Sequence, residues 1–143
     1  LGLVAWLIFP TIHYDLTPLT FALMLVAIVA AWLIRFLSQF CIGLLAFWIS
    51  EATTLNDIWY AISMMLGGII APLDLFPAQV KAIANYLPFR FMLSFPVEIV
   101  SARLSSAELG LGFAAMFFWV GIVIALYRWL WSKGIRQFSA YGA

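Results

Sequence analysis

The chain has 143 residues, 66% of them hydrophobic and 9% charged, with a net charge of +1. Soluble domains carry about 25% charged and about 45–50% apolar residues; a mean hydropathy of +1.11 excludes a water-soluble globule, which at this size must still cover itself with polar surface. The few bases are scattered, which leaves no basic patch for nucleic acid.

The charges punctuate uncharged runs at 16–34, 58–73 and 109–127. A helix needs about 20 mostly apolar residues to cross the hydrocarbon layer. The first and last runs meet that alone, and the middle one nearly does. The expected fold is all-α, a polytopic transmembrane helix bundle. Residues 1–9 read as the end of a span stopped by Pro10. The chain opens on Leu1-Gly2-Leu3 with no basic stretch, unlike a signal peptide, and is expected to continue upstream. A polar loop over 11–17 carries Tyr14, suited to the membrane interface. The long apolar stretch 19–49 exceeds the bilayer core at 1.5 Å per residue, so it must tilt, protrude or break.

Residues 50–57 form a polar loop in which Thr54 or Asn56 is suited to cap the next helix. That helix is expected over 58–71, short for a span, with Gly67-Gly68 near its far end. Pro72, Pro77, Pro88 and Pro96 then forbid one continuous helix, because each removes a donor and disfavours helix in the residue before it. Yet 72–97 is too apolar for a solvated loop. Broken backbone at membrane depth is tolerated only when buried in protein or lining a cavity. The stretch therefore reads as a re-entrant helical hairpin, with an apolar piece at 91–95 ended by Pro96.

A mixed connector over 97–107 holds Glu98 and Arg103, which with Arg90 are placed to pair. Ser105 or Ser106 caps the last span, 109–131, with Glu108 in its first turn. Trp129 and Trp131 beside Arg128 and Lys133 make an interface anchor. Gly134 is expected to close the helix, leaving 132–143 as a cytoplasmic tail. The bases at this end place the C-terminus and 50–57 inside, and 11–17 and the broken hairpin outside.

Arg35 is the sharpest polar residue, because an arginine within a span costs several kcal/mol unless it pairs, snorkels or meets water. It reads either as lining a translocation path with Ser38 and Gln39, or as reaching back to the interface. Gly67, Gly68, Pro72, Pro77 and Pro88 suit an outer gate or hinge, or simply close packing and a tight turn. Glu51 and Asp57 either face a partner at the inner surface or are solvated span ends. Phe113, Phe117, Phe118 and Trp119 read as lining a greasy path or as packing and lipid-facing groups. The chain has no phosphate-binding loop of the Gly-rich, Lys-Ser/Thr type. A single His and a single Cys disfavour a metal site or a Cys–His nucleophile.

The stretch Leu66-Gly67-Gly68-Ile69-Ile70-Ala71-Pro72-Leu73-Asp74-Leu75-Phe76-Pro77, followed by Ala82-Ile83-Ala84-Asn85-Tyr86-Leu87-Pro88-Phe89, resembles the ABC-2 type permeases of ATP-binding-cassette exporters. The C-terminal Trp131-Ser132-Lys133-Gly134-Ile135-Arg136-Gln137-Phe138-Ser139-Ala140-Tyr141-Gly142 and Leu45-Ala46-Phe47-Trp48 look like one branch of them. The resemblance implies a non-enzymatic six-helix subunit in the plasma membrane, the inner membrane of a bacterium. Such a subunit pairs with a second permease copy or paralogue and sits on two ATPase subunits, which hold the ATP and Mg. Glu51 and Asp57 would then face the ATPase. The chain departs from that pattern by lacking the first two helices and the coupling segment between them. The competing reading is a membrane-embedded scaffold with no translocation path.

Overall fold

A computed structural model describes residues 17–70, 75–101 and 104–141. The span end at 1–9, the loop up to residue 16, Pro72 and Arg103 lie outside the described residues. All regular elements among the described residues are helical: α1 (Pro18–Leu44) with a 3-10 turn (Leu45–Phe47), α2 (Ala52–Leu66), α3 (Ala78–Tyr86), α4 (Pro88–Met92), α5 (Ser94–Val100) and α6 (Ser106–Tyr141). Two are long and apolar enough to cross a membrane, Pro18–Phe47 and Ser106–Arg136. At ~22 Å, the 15 residues of α2 fall short of a ~30 Å core.

Local chemistry sets the boundaries. Thr17 caps α1, its hydroxyl accepting from the Thr20 amide at 3.2 Å, and Pro18 supplies a first residue that needs no donor. The long apolar stretch breaks near its end, where the Trp48 and Ile49 amides both donate to the Leu45 carbonyl at 2.9 Å. The cap expected at Thr54 or Asn56 is displaced. Helix α2 starts at Ala52 with Glu51 at the cap position, and the Thr54 hydroxyl donates to the Glu51 carboxylate at 3.4 Å. The polar residues of 52–57 are thus helical; polarity there marks an exposed face, not a loop. Helix α2 ends at Leu66 rather than Ala71. Gly68 takes φ 82°, and the Ile69 amide folds back onto the Met64 carbonyl at 3.2 Å. This is the left-handed glycine termination of a helix.

The prolines break the next stretch as expected, with one correction. Leu87 is extended before Pro88, which opens α4. Pro96 does not end an apolar piece. It sits third in α5, where the amide it lacks is one of the four that the helix leaves unpaired anyway. Ser105 and Glu108 form a reciprocal capping box at the start of α6: the Ser105 amide donates to the Glu108 carboxylate at 2.8 Å, and the Glu108 amide to the Ser105 hydroxyl at 3.3 Å. Gly134 does not close this helix, which continues to Tyr141. A β-carbon at Gly134 would come within 2.8 Å of the Phe47 ring, so this glycine admits the aromatic end of α1.

Helices α1 and α6 lie side by side and run parallel. Leu25–Leu33 of α1 meets Phe117 and Val120 of α6; Phe40 meets Tyr127 and Trp131; Cys41 and Leu44 cluster with Leu130; Phe47 and Trp48 meet Gly134. The buried residues recur every seventh position, Ala27, Ile34 and Cys41 on one helix and Met116, Val123 and Leu130 on the other. That is the seam of a coiled-coil pair. Lipid offers no hydrophobic drive for helix association, so close packing of small residues must supply it; Ala27, Ala30 and Ala31 form the approach face. The short α4 and α5 complete the core by adding Phe91, Phe95 and Ile99.

Candidate functional site

The interrupted stretch between α2 and α6 is fastened to the bundle at its backbone breaks. Where α2 ends, the Gly67 carbonyl accepts the Ser94 hydroxyl at 2.8 Å. Where α3 ends, the Tyr86 carbonyl accepts the Trp119 indole N–H at 2.9 Å. A carbonyl freed at a helix end needs such a partner wherever water does not reach it. Counted from Leu109, where the apolar run of α6 begins, Trp119 lies ~15 Å along the helix axis, about half of a ~30 Å core.

Aromatic packing holds the same region. Phe89 lies 4.8 Å from Trp59 of α2 between ring centroids. Phe91, Phe95 and Phe113 form an edge-to-face series at 5.7 and 5.3 Å, the geometry that ring quadrupoles favour. Phe95 is fully buried and lies over Gly112, where any β-carbon would collide with its ring. The charges of the segment pair as expected: Arg90 donates to Glu98 at 2.6 Å, both side chains about a quarter exposed or less. Arg90 also lies within electrostatic reach of Glu108 at the start of α6.

Of the gate candidates, Gly67 and Pro88 are buried and close together. A β-carbon at Gly67 would collide with the Ser63 carbonyl and lie 3.4 Å from that of Phe89. Gly68 follows in its left-handed conformation. Pro77 is exposed at the far end of α3; Pro72 lies outside the described residues.

The path candidates separate. Ser38 is buried in the bundle at 7% exposure, whereas Arg35 is exposed and Gln39 half-buried. Arg35 turns toward α2, its guanidinium carbon 5.9 Å from the centre of the Tyr60 ring. On the other flank of α1, an apolar groove of about 320 Å³ runs beside α6 between Val29, Leu33, Phe117 and Val120.

Glu51 and Asp57 are exposed near the turn between α1 and α2. Because α1 and α6 are parallel, this turn lies at the same end of the bundle as Arg128, Lys133 and Arg136. One end therefore carries acids from one hairpin and bases from the last helix. Among the described residues, no cluster of His, Cys, Asp and Glu could hold a metal ion.

Three contacts carry no mark in the sequence: the Ser94 hydroxyl on Gly67, the Trp119 indole N–H on Tyr86 and the Tyr60 ring beside Arg35. Indole and hydroxyl donors look like any other interface or packing residue until the carbonyls they reach are located.

A family model described as ABC-2 family transporter protein matches residues 1–142. No curated protein and no solved structure matches the chain. The apolar spans, the proline-broken stretch between them and this near full-length match agree: the chain belongs to the ABC-2 family of transporter proteins and is a membrane permease component of an ATP-binding-cassette transporter.

Proposed function

We propose that this chain forms part of the translocation path of an exporter and that 72–97 is a re-entrant hairpin serving as its outer gate. Separate ATPase subunits, holding ATP and Mg, drive it against a second permease copy or paralogue in the plasma membrane, which it crosses several times. Glu51 and Asp57, at the end shared with the basic tail of α6, face those ATPases. The observation that carries the reading is the pair of side-chain donors on the broken backbone, Trp119 on Tyr86 and Ser94 on Gly67. A solvated loop would need neither. A segment that dips into the membrane and moves there needs both, with bonds that exchange rather than fixed helix continuity. Gly67, Gly68 and Pro88 cluster at the root of the segment, where a change in backbone angle would swing it. ATP can shift such a gate only by binding more tightly to one of its states than to the other.

The test is accessibility. In the assembled transporter with Cys41→Ala, single variants Leu75→Cys, Gln79→Cys and Tyr86→Cys are labelled with a membrane-impermeant maleimide. The first two are expected to label from outside in all states. Tyr86→Cys is expected to label only when the ATPases are trapped with ATP and vanadate. Labelling from the cytosolic side would overturn the orientation and the gate. Labelling unaffected by nucleotide would leave a membrane-embedded scaffold.

A further inference from the structure

We propose that the groove between α1 and α6 holds one acyl chain of an anionic phospholipid whose headgroup rests on Arg128. The site lies apart from the broken segment and stands whether or not that segment is a gate.

The groove encloses about 320 Å³ and is walled by apolar atoms alone, with Leu25, Val29 and Leu33 of α1 facing Phe117 and Val120 of α6. That volume is at the small end of ligand pockets. A helix with its side chains is about 10–12 Å across, too wide to enter such a space, whereas a single hydrocarbon chain fills it. The length matches one leaflet. Arg128 stands 11 residues beyond Phe117, ~16 Å along the helix axis, about half of a ~30 Å core. Arg128 also ends the apolar run 109–127. A lipid with its head at Arg128 therefore has its tail in the groove.

Two features mark the route between them. On α6, Phe117, Gly121, Ile124 and Arg128 follow at three- and four-residue steps, which puts them on one face. Gly121 has nothing within 4 Å of the place a β-carbon would take. Glycine is unfavourable inside a helix, and no neighbour in the bundle uses the space it leaves. A tail lying along this bare strip does. On α1, Trp32, Phe36 and Phe40 continue the face of Leu25 and Val29 by the same steps. Their rings stack at 5.1 and 6.0 Å between centroids, and Phe40 carries the series across to Tyr127 and Trp131 at 5.5 and 6.3 Å. This apolar rail leads from the groove to Trp131, a helical neighbour of Arg128.

The charge that selects the head is unpaired. Arg128 is exposed and makes no ion pair among the described residues. Trp129 and Trp131, 58% and 42% exposed, flank it, as aromatic residues do at headgroup level. A guanidinium matches phosphate oxygens in pairs, and a base at this depth favours lipids of net negative charge. Free phosphate would satisfy Arg128 and leave the groove empty.

The experiment uses the full-length permease assembled with its ATPase in phosphatidylcholine nanodiscs. A trace of phosphatidylglycerol carries a diazirine near the end of one acyl chain, and adducts formed on illumination are mapped by mass spectrometry. They are expected on 25–33 and 117–120. Gly121→Leu, which fills the strip, is expected to lower their yield at least about fivefold, while Gly110→Leu, at an equally open glycine of the same helix, leaves it unchanged. Arg128→Gln is expected to lower the yield about fivefold, the scale of one interfacial base, and Arg128→Lys to keep most of it. A yield in Gly121→Leu within twofold of the parent, or adducts equally dense on the exposed Ile58 and Ile62 of α2, means bulk lipid only and overturns the site. An equal yield from a phosphatidylcholine probe of the same chains overturns the charge selection. Adducts formed on the permease alone but lost on assembly mean that a protein subunit covers the groove, and overturn the lipid.

Discussion

Replacing Trp119 with phenylalanine isolates one hydrogen bond. The substitution keeps an aromatic ring in α6 and removes the indole N–H that meets the Tyr86 carbonyl at 2.9 Å. Tyr86 ends α3, and its carbonyl has no later turn of helix to accept from. Tyr86 is exposed at the surface of the bundle, so the cost is that of an acceptor left facing lipid instead of water, about 1–3 kcal/mol, and interhelical bonds measured within membranes sit nearer the lower figure. If the bond closes the broken segment onto α6, the opening equilibrium should rise roughly 5- to 150-fold, since each 1.4 kcal/mol is a factor of ten. Hydrogen–deuterium exchange of the assembled transporter reads this directly. The Leu87 amide, bonded to Ala84, and the Leu93 amide, bonded to Arg90, should exchange faster, while the amides of α1 between Ala27 and Ile34 keep their protection. Exchange at Leu87 and Leu93 within twofold of the parent would refute the latch. An equal rise in α1 would refute its locality.

Gly112→Ala should cost about 1–3 kcal/mol of stability by overpacking, because its β-carbon meets the ring of the fully buried Phe95, whereas Gly121→Ala, with nothing within 4 Å, should be nearly silent; melting curves in one detergent compare the two. Gly68→Ala forces a side chain into φ 82° and should destabilise by about 1–2 kcal/mol, read as a lower midpoint for thermal unfolding; an unchanged midpoint would mean that α2 ends differently. For Arg90 and Glu98, paired at 2.6 Å with partial exposure, a double-mutant cycle with Arg90→Gln and Glu98→Gln should give a coupling of up to about 1 kcal/mol that shrinks in high salt.

Where the chain punctuates itself, its fold is legible. Thr17-Pro18, Ser105 with Glu108, and the prolines at 77 and 88 each impose a boundary through a single backbone group, and the structure puts breaks there. Composition misleads where it stands in for geometry. The polar residues of 52–57 read as a loop because an isolated stretch shows no face, but as a helix they lie on the exposed side of α2. Gly134 reads as a stop because glycine ends many helices, yet it is held inside α6 by a ring from α1. The seam between α1 and α6 is written in the sequence as Ala27, Ile34 and Cys41 against Met116, Val123 and Leu130. It stays hidden because both helices are apolar on every side, so the seven-residue rhythm has no polar contrast. Arg35 is visible as an anomaly, but the Tyr60 ring 5.9 Å from its guanidinium carbon lies on another helix.

Two long rods joined along one seam resist bending far better than either alone. The leg that carries the chain back between them is α2 followed by three short helices, with no ladder of backbone bonds that runs its whole length. A torque delivered at the Lys133 end would therefore pass up the stiff pair almost undiminished, and its deformation would collect in the compliant return leg. In this arrangement the work of a distant motor is focused on one part of the protein, and that part is chosen by stiffness rather than by proximity.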